Sequence, residues 1–142
     1  MALKKTQLLP ITSVVGVQTV GIYTAGLTAT SVGVGTTSYV KSIIMHNAGA
    51  AADNAGLGTV RVGVYIYPNT GVTDRVSGVG NSAYRIAQLD LAPNETSFFE
   101  SNYPLVLAPF NAIAVDVKQP DAGGAGVGTA VNFIINGDTE TP

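Results

Sequence analysis

The chain contains a single histidine, His46, and histidine is the side chain on which most nucleophilic and acid–base sites depend. Ser42 and Asp53 are near it in sequence, and a serine, a histidine and an aspartate can together form a nucleophilic triad. The sequence has no G-x-S-x-G motif, the sharp turn that exposes a nucleophilic serine. His46 also follows an apolar stretch, residues 43–45, as a packing residue near a strand end does. We therefore predict no catalytic residue and no enzyme activity.

The acidic residues show no arrangement typical of a metal site. The chain has nine of them, and the repeated two-residue spacing of carboxylates in a calcium loop is absent. It has no cysteine, which excludes thiolate metal sites, disulfide bonds and cysteine nucleophiles. We predict neither a metal centre nor a cofactor. The alternative is calcium held in a loop by Asp121 or Asp138.

A glycine-rich segment, Gly123–Gly128 ("GGAGVG"), superficially resembles a phosphate-binding loop. Such a loop needs a helix directly after it, because the N–H groups and dipole of the helix N-terminus bind the phosphates. The residues that follow, "TAVNFIIN", have the composition and alternation of a strand. The segment is therefore predicted to be the tip of a hairpin and not a nucleotide site.

Charge is scarce along the chain. Charged residues make up 11% of it and its net charge is −2, whereas a nucleic-acid-binding protein normally has a basic face. No stretch approaches the ~20 apolar residues of a membrane-spanning helix. A folded chain with so few charges has a neutral surface, which costs little to desolvate and suits burial against other subunits. We predict a homo-oligomer, a trimer or a dimer, that binds neither nucleic acid nor membranes.

Alternation of apolar and polar residues indicates short β-strands along most of the chain. The residues predicted to face the core are Val60, Val62, Val64, Ile66, Ile113, Val115, Val117, Val131, Phe133 and Ile135. Proline and asparagine separate the runs, and a turn at residues 102–104 is predicted to divide "TSFFES" from "LVLAPFN". No stretch has the periodicity of a helix.

This pattern predicts an all-β protein with a single antiparallel β-sandwich. Roughly seven to nine strands are expected, and the sandwich is of the jelly-roll or immunoglobulin-like type. Residues 1–20 are predicted to form an N-terminal arm or a first strand, and residues 21–142 the sandwich domain.

Aromatic side chains are the main candidates for contact with a partner. Tyr65 and Tyr67 alternate with the apolar stripe of their strand, so both are predicted to lie on the outside of the sandwich. Together with Tyr39 and Arg61 they are the predicted subunit interface. A surface for stacking sugars is the alternative, although the chain has no tryptophan.

Seven segments follow one another in a characteristic order between residues 22 and 140. They are "IYTAG", "SIIMHNAGA", "VRVGVYI", "LAPNETSFF", "YPLVLAP", "AIAVDV" and "NFIINGDTE". In this order of strands and turns the chain resembles the small all-β virion structural proteins of tailed bacteriophages.

The resemblance implies that the chain binds other virion proteins. Similar proteins decorate or cement capsid shells, or join tail and fibre parts. We therefore expect a capsid decoration or cement protein that contacts the major capsid protein or other virion proteins. It would be assembled in the host cytoplasm and located in the virion. The alternatives are a tail, baseplate or fibre component, and a carbohydrate-binding β-sandwich module.

Overall fold

The protein is built from β-strands. The computed structural model describes residues 2–15, 18–26, 36–48, 59–67, 84–118 and 130–141, which contain eight strands and no α-helix. The strands are β1 (Ala2–Val15), β2 (Gln18–Thr24), β3 (Thr37–Asn47), β4 (Val60–Tyr67), β5 (Arg85–Leu91), β6 (Thr96–Leu107), β7 (Ala112–Lys118) and β8 (Ala130–Thr141). The prediction of an all-β chain is confirmed. Within the described ranges no helix is long and apolar enough to cross a membrane.

The strands form two four-stranded antiparallel sheets. Sheet A has the order β1-β8-β3-β6 and sheet B the order β2-β7-β4-β5. β1 pairs with β8, β2 with β7, β3 with β6 and β4 with β5, so the first half of the chain pairs with the second half in reverse order. We call this arrangement the nested pairing. Two further pairings, β3 with β8 and β4 with β7, complete the sheets.

One apolar core lies between the inner faces of the two sheets. Ile43 and Phe133 of sheet A are fully buried in the same cluster as Val64 and Val115 of sheet B. All the residues predicted to face the core are buried except Ile66, which is partly buried and packs against the same cluster. The two sheets therefore form a β-sandwich-like structure, and the strand alternation correctly predicted which side chains fill it.

β6 is one continuous strand that contains a bulge. The sequence predicted a turn at residues 102–104 between two strands, and this prediction was wrong. On β3 the single residue Lys41 separates two paired positions, whereas residues 101–104 of β6 lie between the corresponding partners. Pro104 has no N–H to donate, so it is tolerated here because β6 is at the edge of sheet A.

Two turns of similar sequence carry the chain from one sheet to the other. The segment "LAPNE" (91–95) links β5 of sheet B to β6 of sheet A, and "LAPFN" (107–111) links β6 to β7 of sheet B. In each, the N–H of the last residue donates a 3.0 Å hydrogen bond to the carbonyl oxygen of the second. The residue after the proline has a positive φ, 61° at Asn94 and 68° at Phe110. Proline followed by a positive φ is the pattern of a type II turn. We call these the sheet-crossing turns.

Each sheet-crossing turn is attached to the end of an earlier strand by two backbone hydrogen bonds. Asn47, the last residue of β3, donates its N–H to the carbonyl oxygen of Glu95 (3.0 Å) and accepts one from the N–H of Asn94 (3.0 Å). Ala25, directly after β2, makes the equivalent pair of hydrogen bonds with the second turn (2.9 and 2.8 Å). The backbone polar groups are therefore paired where the chain leaves one sheet for the other, as burial requires.

The side chain of Asn47 reinforces the first of these attachments. Its Nδ2 donates to the carbonyl oxygens of Leu91 (3.1 Å) and Ala92 (3.3 Å), and the residue is only 1% exposed. Removing the carboxamide would leave the buried carbonyl oxygen of Leu91 without this donor, which is more costly than losing a solvent-exposed hydrogen bond.

We expect Asn47→Ala to lower the free energy of unfolding by about 2–3 kcal/mol, because buried acceptors lose their donor. Urea denaturation followed by circular dichroism measures the change. Asn102→Ala is the matched control: Asn102 is exposed on the bulge of β6, so its loss should change stability by less than about 0.5 kcal/mol. Equal effects of the two substitutions would contradict this role for Asn47.

The left-handed backbone at Asn94 gives a second test of the sheet-crossing turns. Asn94 is exposed, so its side chain contributes little packing. We expect Asn94→Ala to destabilise the protein by about 1 kcal/mol, because a Cβ without a compensating polar group is unfavourable at positive φ. Asn94→Gly should be neutral or slightly stabilising. The midpoints of thermal unfolding of the two variants measure this difference in stability. An alanine variant as stable as the glycine variant would argue against a strained turn.

Candidate interaction surface

His46 lies on β3 and is not assembled into a catalytic group with Ser42. Its Nδ1 is 2.7 Å from Oγ1 of Thr96 on β6. Ser42 is on the same strand and the same face, but four residues of extended chain separate the two by about 13 Å. Asp53 lies outside the described residues. His46 is half-buried and hydrogen-bonded across two strands, as a packing residue near a strand end is.

Asp121 and Asp138 are the residues considered above for metal binding. In the described ranges, no group of three or more histidine, aspartate or glutamate side chains is placed to hold a metal ion. Asp121 and Gly123–Gly128 lie outside those ranges. Asp138 on β8 is buried, and its Oδ2 is 2.9 Å from Nζ of Lys41. Its Oδ1 is also buried and has no hydrogen-bond partner in the described structure. Asp138 is therefore one half of an ion pair with the bulged Lys41.

Tyr65 and Tyr67 lie on the outer face of sheet B, but the chain itself covers them. They are 2% and 3% exposed, and their rings stack with centroids 6.2 Å apart. The Tyr84 ring packs against Tyr67 at 5.1 Å, and Ala114 completes a cluster separate from the main core. Rings buried in this way offer no platform for a sugar and no surface for a subunit. Their assignment to an interface is corrected to internal packing.

The hydroxyl of Tyr65 reaches a buried carboxylate. It donates to Oδ2 of Asp116 at 3.2 Å, and Nζ of Lys118 is 3.7 Å from the same oxygen. The ring lies over Gly63, where an added Cβ would come within 3.1 Å of it. Burial, and next the negative charge of Asp116, raise the pKa of Tyr65 above its ordinary value of 10.0. The neutral phenol is therefore the form that the fold stabilises.

Arg61 and Tyr39, the other predicted interface residues, lie on different sheets. Arg61 on β4 of sheet B forms two hydrogen bonds with Asp90, at 2.8 and 3.2 Å, and this guanidinium holds the pKa of Asp90 below its usual range. Tyr39 on β3 of sheet A donates to Glu140 at 3.2 Å, and its pKa is raised by burial and then by that carboxylate. The four residues predicted as one interface therefore do not form one surface.

A row of apolar side chains crosses the outer face of sheet A instead. Ile44 of β3 is paired with Ile134 of β8 on one side and with Phe98 of β6 on the other. On β1, Pro10 and Ile11 lie between the positions paired with Ile135 and Phe133, in an irregular part of the register, so Ile11 extends this line of apolar residues at the β1 edge. Ile11 is 67% and Phe98 58% exposed, while the two central isoleucines are partly buried between their neighbours. We call these four side chains the apolar row.

A row of polar side chains lies on each side of the apolar row. The strand pairing places them side by side across the four strands. The first row is Ser13, Asn132, His46 and Thr96, and the second is Gln7, Asn136, Ser42 and Glu100. Of these eight residues only Glu100 is an aspartate, glutamate, lysine or arginine. We call the apolar row and its two polar rows the sheet-A face.

The edges of both sheets are irregular. The edge strands are β1 and β6 in sheet A and β2 and β5 in sheet B. Each of them has a register shift against its neighbour, with the additional residues on the edge strand itself. Such bulges interrupt the regular array of N–H and C=O groups that an added strand would need. Contacts with other proteins are therefore expected through a face of a sheet.

The scan against protein-family models gave no match, and neither the curated proteins nor the solved structures contained a match to this chain. The geometry of the sheet-A face is accordingly the basis of the functional argument.

Sequence reasoning placed Ile44, Phe98 and Ile134 in strands but missed the row that they form. The signal was present as pairs of adjacent apolar residues, Ile43–Ile44, Phe98–Phe99 and Ile134–Ile135. In a strand, adjacent side chains point to opposite faces, so each pair must place one apolar residue on the outside. These outside residues form one row only because of the order of the strands in the sheet. The alternation of side chains within a strand does not reveal that order.

The raised pKa of Tyr65 predicts an alkaline loss of stability. The unfolded chain ionises near pH 10 and the folded chain only at higher pH, so the folded state holds more protons there and stability falls as pH rises above 10. We expect Tyr65→Phe to remove part of this fall, although at neutral pH it should cost about 1 kcal/mol through the lost hydrogen bond. Urea denaturation at pH 7 to 11 measures both. Tyr103→Phe, at an 84% exposed site, is the control and should keep the wild-type profile.

Proposed function

We propose that the fold is a jelly roll. The nested pairing is that of one long antiparallel ribbon folded back on itself and rolled into two sheets of four strands. Eight strands in two antiparallel sheets, with this connectivity, are what the jelly-roll architecture requires. Viral capsid domains and lectins use that architecture, so it supports a viral role without specifying one.

We propose further that the chain is a structural protein of bacteriophage virions, acting as a capsid decoration or cement protein. The observation that carries the proposal is the sheet-A face: an apolar row with ends 67% and 58% exposed, flanked by side chains that are almost all uncharged. An exposed apolar patch of this kind marks a protein contact site. The sequence resemblance to small all-β virion proteins points the same way.

The mechanism is burial of neutral surface between neighbouring subunits. Amide and hydroxyl groups are cheaper to desolvate than charges, and they can form new hydrogen bonds across a contact. Each contact stabilises the shell modestly. Repetition around a symmetric lattice multiplies the effect, because every additional contact forms at high effective concentration.

A tail, baseplate or fibre component would use the same kind of surface, and copy number separates the two roles. We expect the chain to be abundant relative to the major capsid protein in purified virions of the phage that encodes it, measured by gel densitometry. A band corresponding to a few copies per particle would favour the tail. Absence from the particle would contradict a virion role altogether.

Add-back experiments test the cement role directly. Particles that lack the chain should release their DNA at a lower temperature than complete particles, and added wild-type protein should restore stability. Ile44→Glu should fail to restore it, because it places a charge in the centre of the sheet-A face. Ile86→Glu, the same change at a 41% exposed site on β5 of sheet B, should restore it fully. Equal rescue by both variants would show that the sheet-A face is not the contact.

A further inference from the structure

The sheet-A face has the same kind of neighbours on both sides of the apolar row. On β3, β6 and β8 a polar side chain lies two residues before and two residues after the central apolar one. On β1, Gln7 is four residues before Ile11 and Ser13 is two residues after it. On β8, Asn132 and Asn136 are on either side of Ile134. On β3, Ser42 and His46 are on either side of Ile44. The face is therefore close to a palindrome about the apolar row.

We propose that the occupant of the sheet-A face is a second copy of this chain, related by a two-fold axis that runs along the apolar row. This inference rests on the proposed role of the sheet-A face as a contact between neighbouring subunits. It takes the neighbour at that face to be a second copy, so a contact with the major capsid protein would use other surfaces of the dimer. A two-fold interface must be complementary to itself, because the same patch is used on both sides. A palindrome of donors and acceptors around an apolar centre meets that requirement.

The pairing of side chains follows from the axis. The two-fold rotation about the apolar row places each strand over the same strand of the second copy, in the opposite direction. Each polar row therefore lies over the other polar row of the second copy. Asn136 then lies over Asn132 of the second copy, and each amide has a donor and an acceptor for the other. Ser42 lies over His46, and a hydroxyl and an imidazole can share a hydrogen bond. At the β6 edge, Glu100 lies over Thr96, whose hydroxyl can donate to the carboxylate.

The charges fit the same arrangement. Glu100 is the one acidic residue of the sheet-A face, which has no lysine or arginine. It lies at the β6 end of its row, so each carboxylate is near the rim of the contact. The rotation places it over a threonine and not over its own symmetry copy. No like charges are brought together, and no charge is buried at the centre, where desolvation is most costly.

The overlap that the axis allows is that of a weak dimer. Ile44 lies seven residues from the start of β3 and three from its end, so the rotation superposes only residues 41–47 of that strand on their copies. At ~3.4 Å per residue and ~4.8 Å between the four strands, the overlap is roughly 450 Å² on each copy, or about 900 Å² in total. This is below the ~1,200–2,000 Å² of stable specific interfaces and suits a contact that dissociates on dilution. The bulged edges leave packing of face on face as the available mode, with the sheets ~10 Å apart.

The oligomeric state of the purified chain is the first test. We expect sedimentation velocity and light scattering to show a dimer that dissociates on dilution. Ile44→Glu should weaken dimerisation at least ~100-fold, because the axis buries two unpaired carboxylates at the centre. Ile86→Glu should leave the dimerisation constant unchanged. The free energy of unfolding, measured on the monomeric variant in urea, confirms that Ile44→Glu still folds.

Cross-linking tests the axis itself. The chain has no cysteine, so an introduced cysteine is unique. A mixture of Asn132→Cys and Asn136→Cys chains should be joined rapidly by a bis-maleimide of about 10 Å, because the axis places these positions opposite each other across packed sheets. Asn132→Cys alone should react much more slowly, since its two copies are displaced by about 14 Å along the strands.

The outcomes separate this inference from the proposed function. A wild-type chain that stays monomeric at all concentrations overturns the dimer. If such a monomer is nevertheless present in virions and Ile44→Glu abolishes its incorporation, the sheet-A face binds another virion protein and the virion role stands. A dimer in which the cysteine mixture cross-links no faster than Asn132→Cys alone overturns the axis. A chain that dimerises as expected but is absent from virions contradicts the virion role and leaves the dimer intact.

Discussion

The fold depends on a single constraint: the chain must cross between two sheets without leaving buried backbone groups unpaired. The sheet-crossing turns meet it in the same way twice, each by a proline, a residue with positive φ and two hydrogen bonds to the end of an earlier strand. Phe110 has a backbone conformation with positive φ, which costs ~1–2 kcal/mol, and in this conformation its N–H donates to the carbonyl oxygen of Ala25. Asn47 adds a buried carboxamide at the other turn. These attachments fix how the sheets are stacked, and therefore which residues share a face.

The two outer faces of the molecule differ in how they are covered. On sheet B the chain covers its own surface: Tyr65 fills the space over Gly63 and donates to Asp116, and two more tyrosines pack beside it. On sheet A the equivalent position is an apolar row that no described side chain covers completely. Tyrosine rings thus cover part of the outer face of sheet B, whereas the apolar row of sheet A leaves Ile11 and Phe98 largely exposed and suited to contact with a partner. The functional proposals all concern that surface.

The alternation of side chains was enough to predict most of the strands and the residues that fill the core, because each strand carries that information by itself. It could not predict relations between strands. The bulge at residues 101–104 is tolerated because β6 is an edge strand, and Tyr65 and Tyr67 are buried in a cluster with Ala114 and Tyr84 from other parts of the chain. Ile11 and Phe98, which are distant in sequence, share the apolar row only because β1 and β6 belong to one sheet. The predicted interface failed for the same reason, since Tyr39 and Arg61 lie on different sheets.

The nested pairing also sets an order in which the chain can fold. Pairing β1 with β8 directly would close a loop of nearly the whole chain, since Ala2 is opposite Thr141. If β4 and β5 associate first, each following pair closes only a short additional loop, which costs much less entropy. Zippering from the middle outwards makes β1 the last strand to dock. The long ladder between β1 and β8, from Ala2 opposite Thr141 to Val15 opposite Ala130, would then form only after the strands between them are in place.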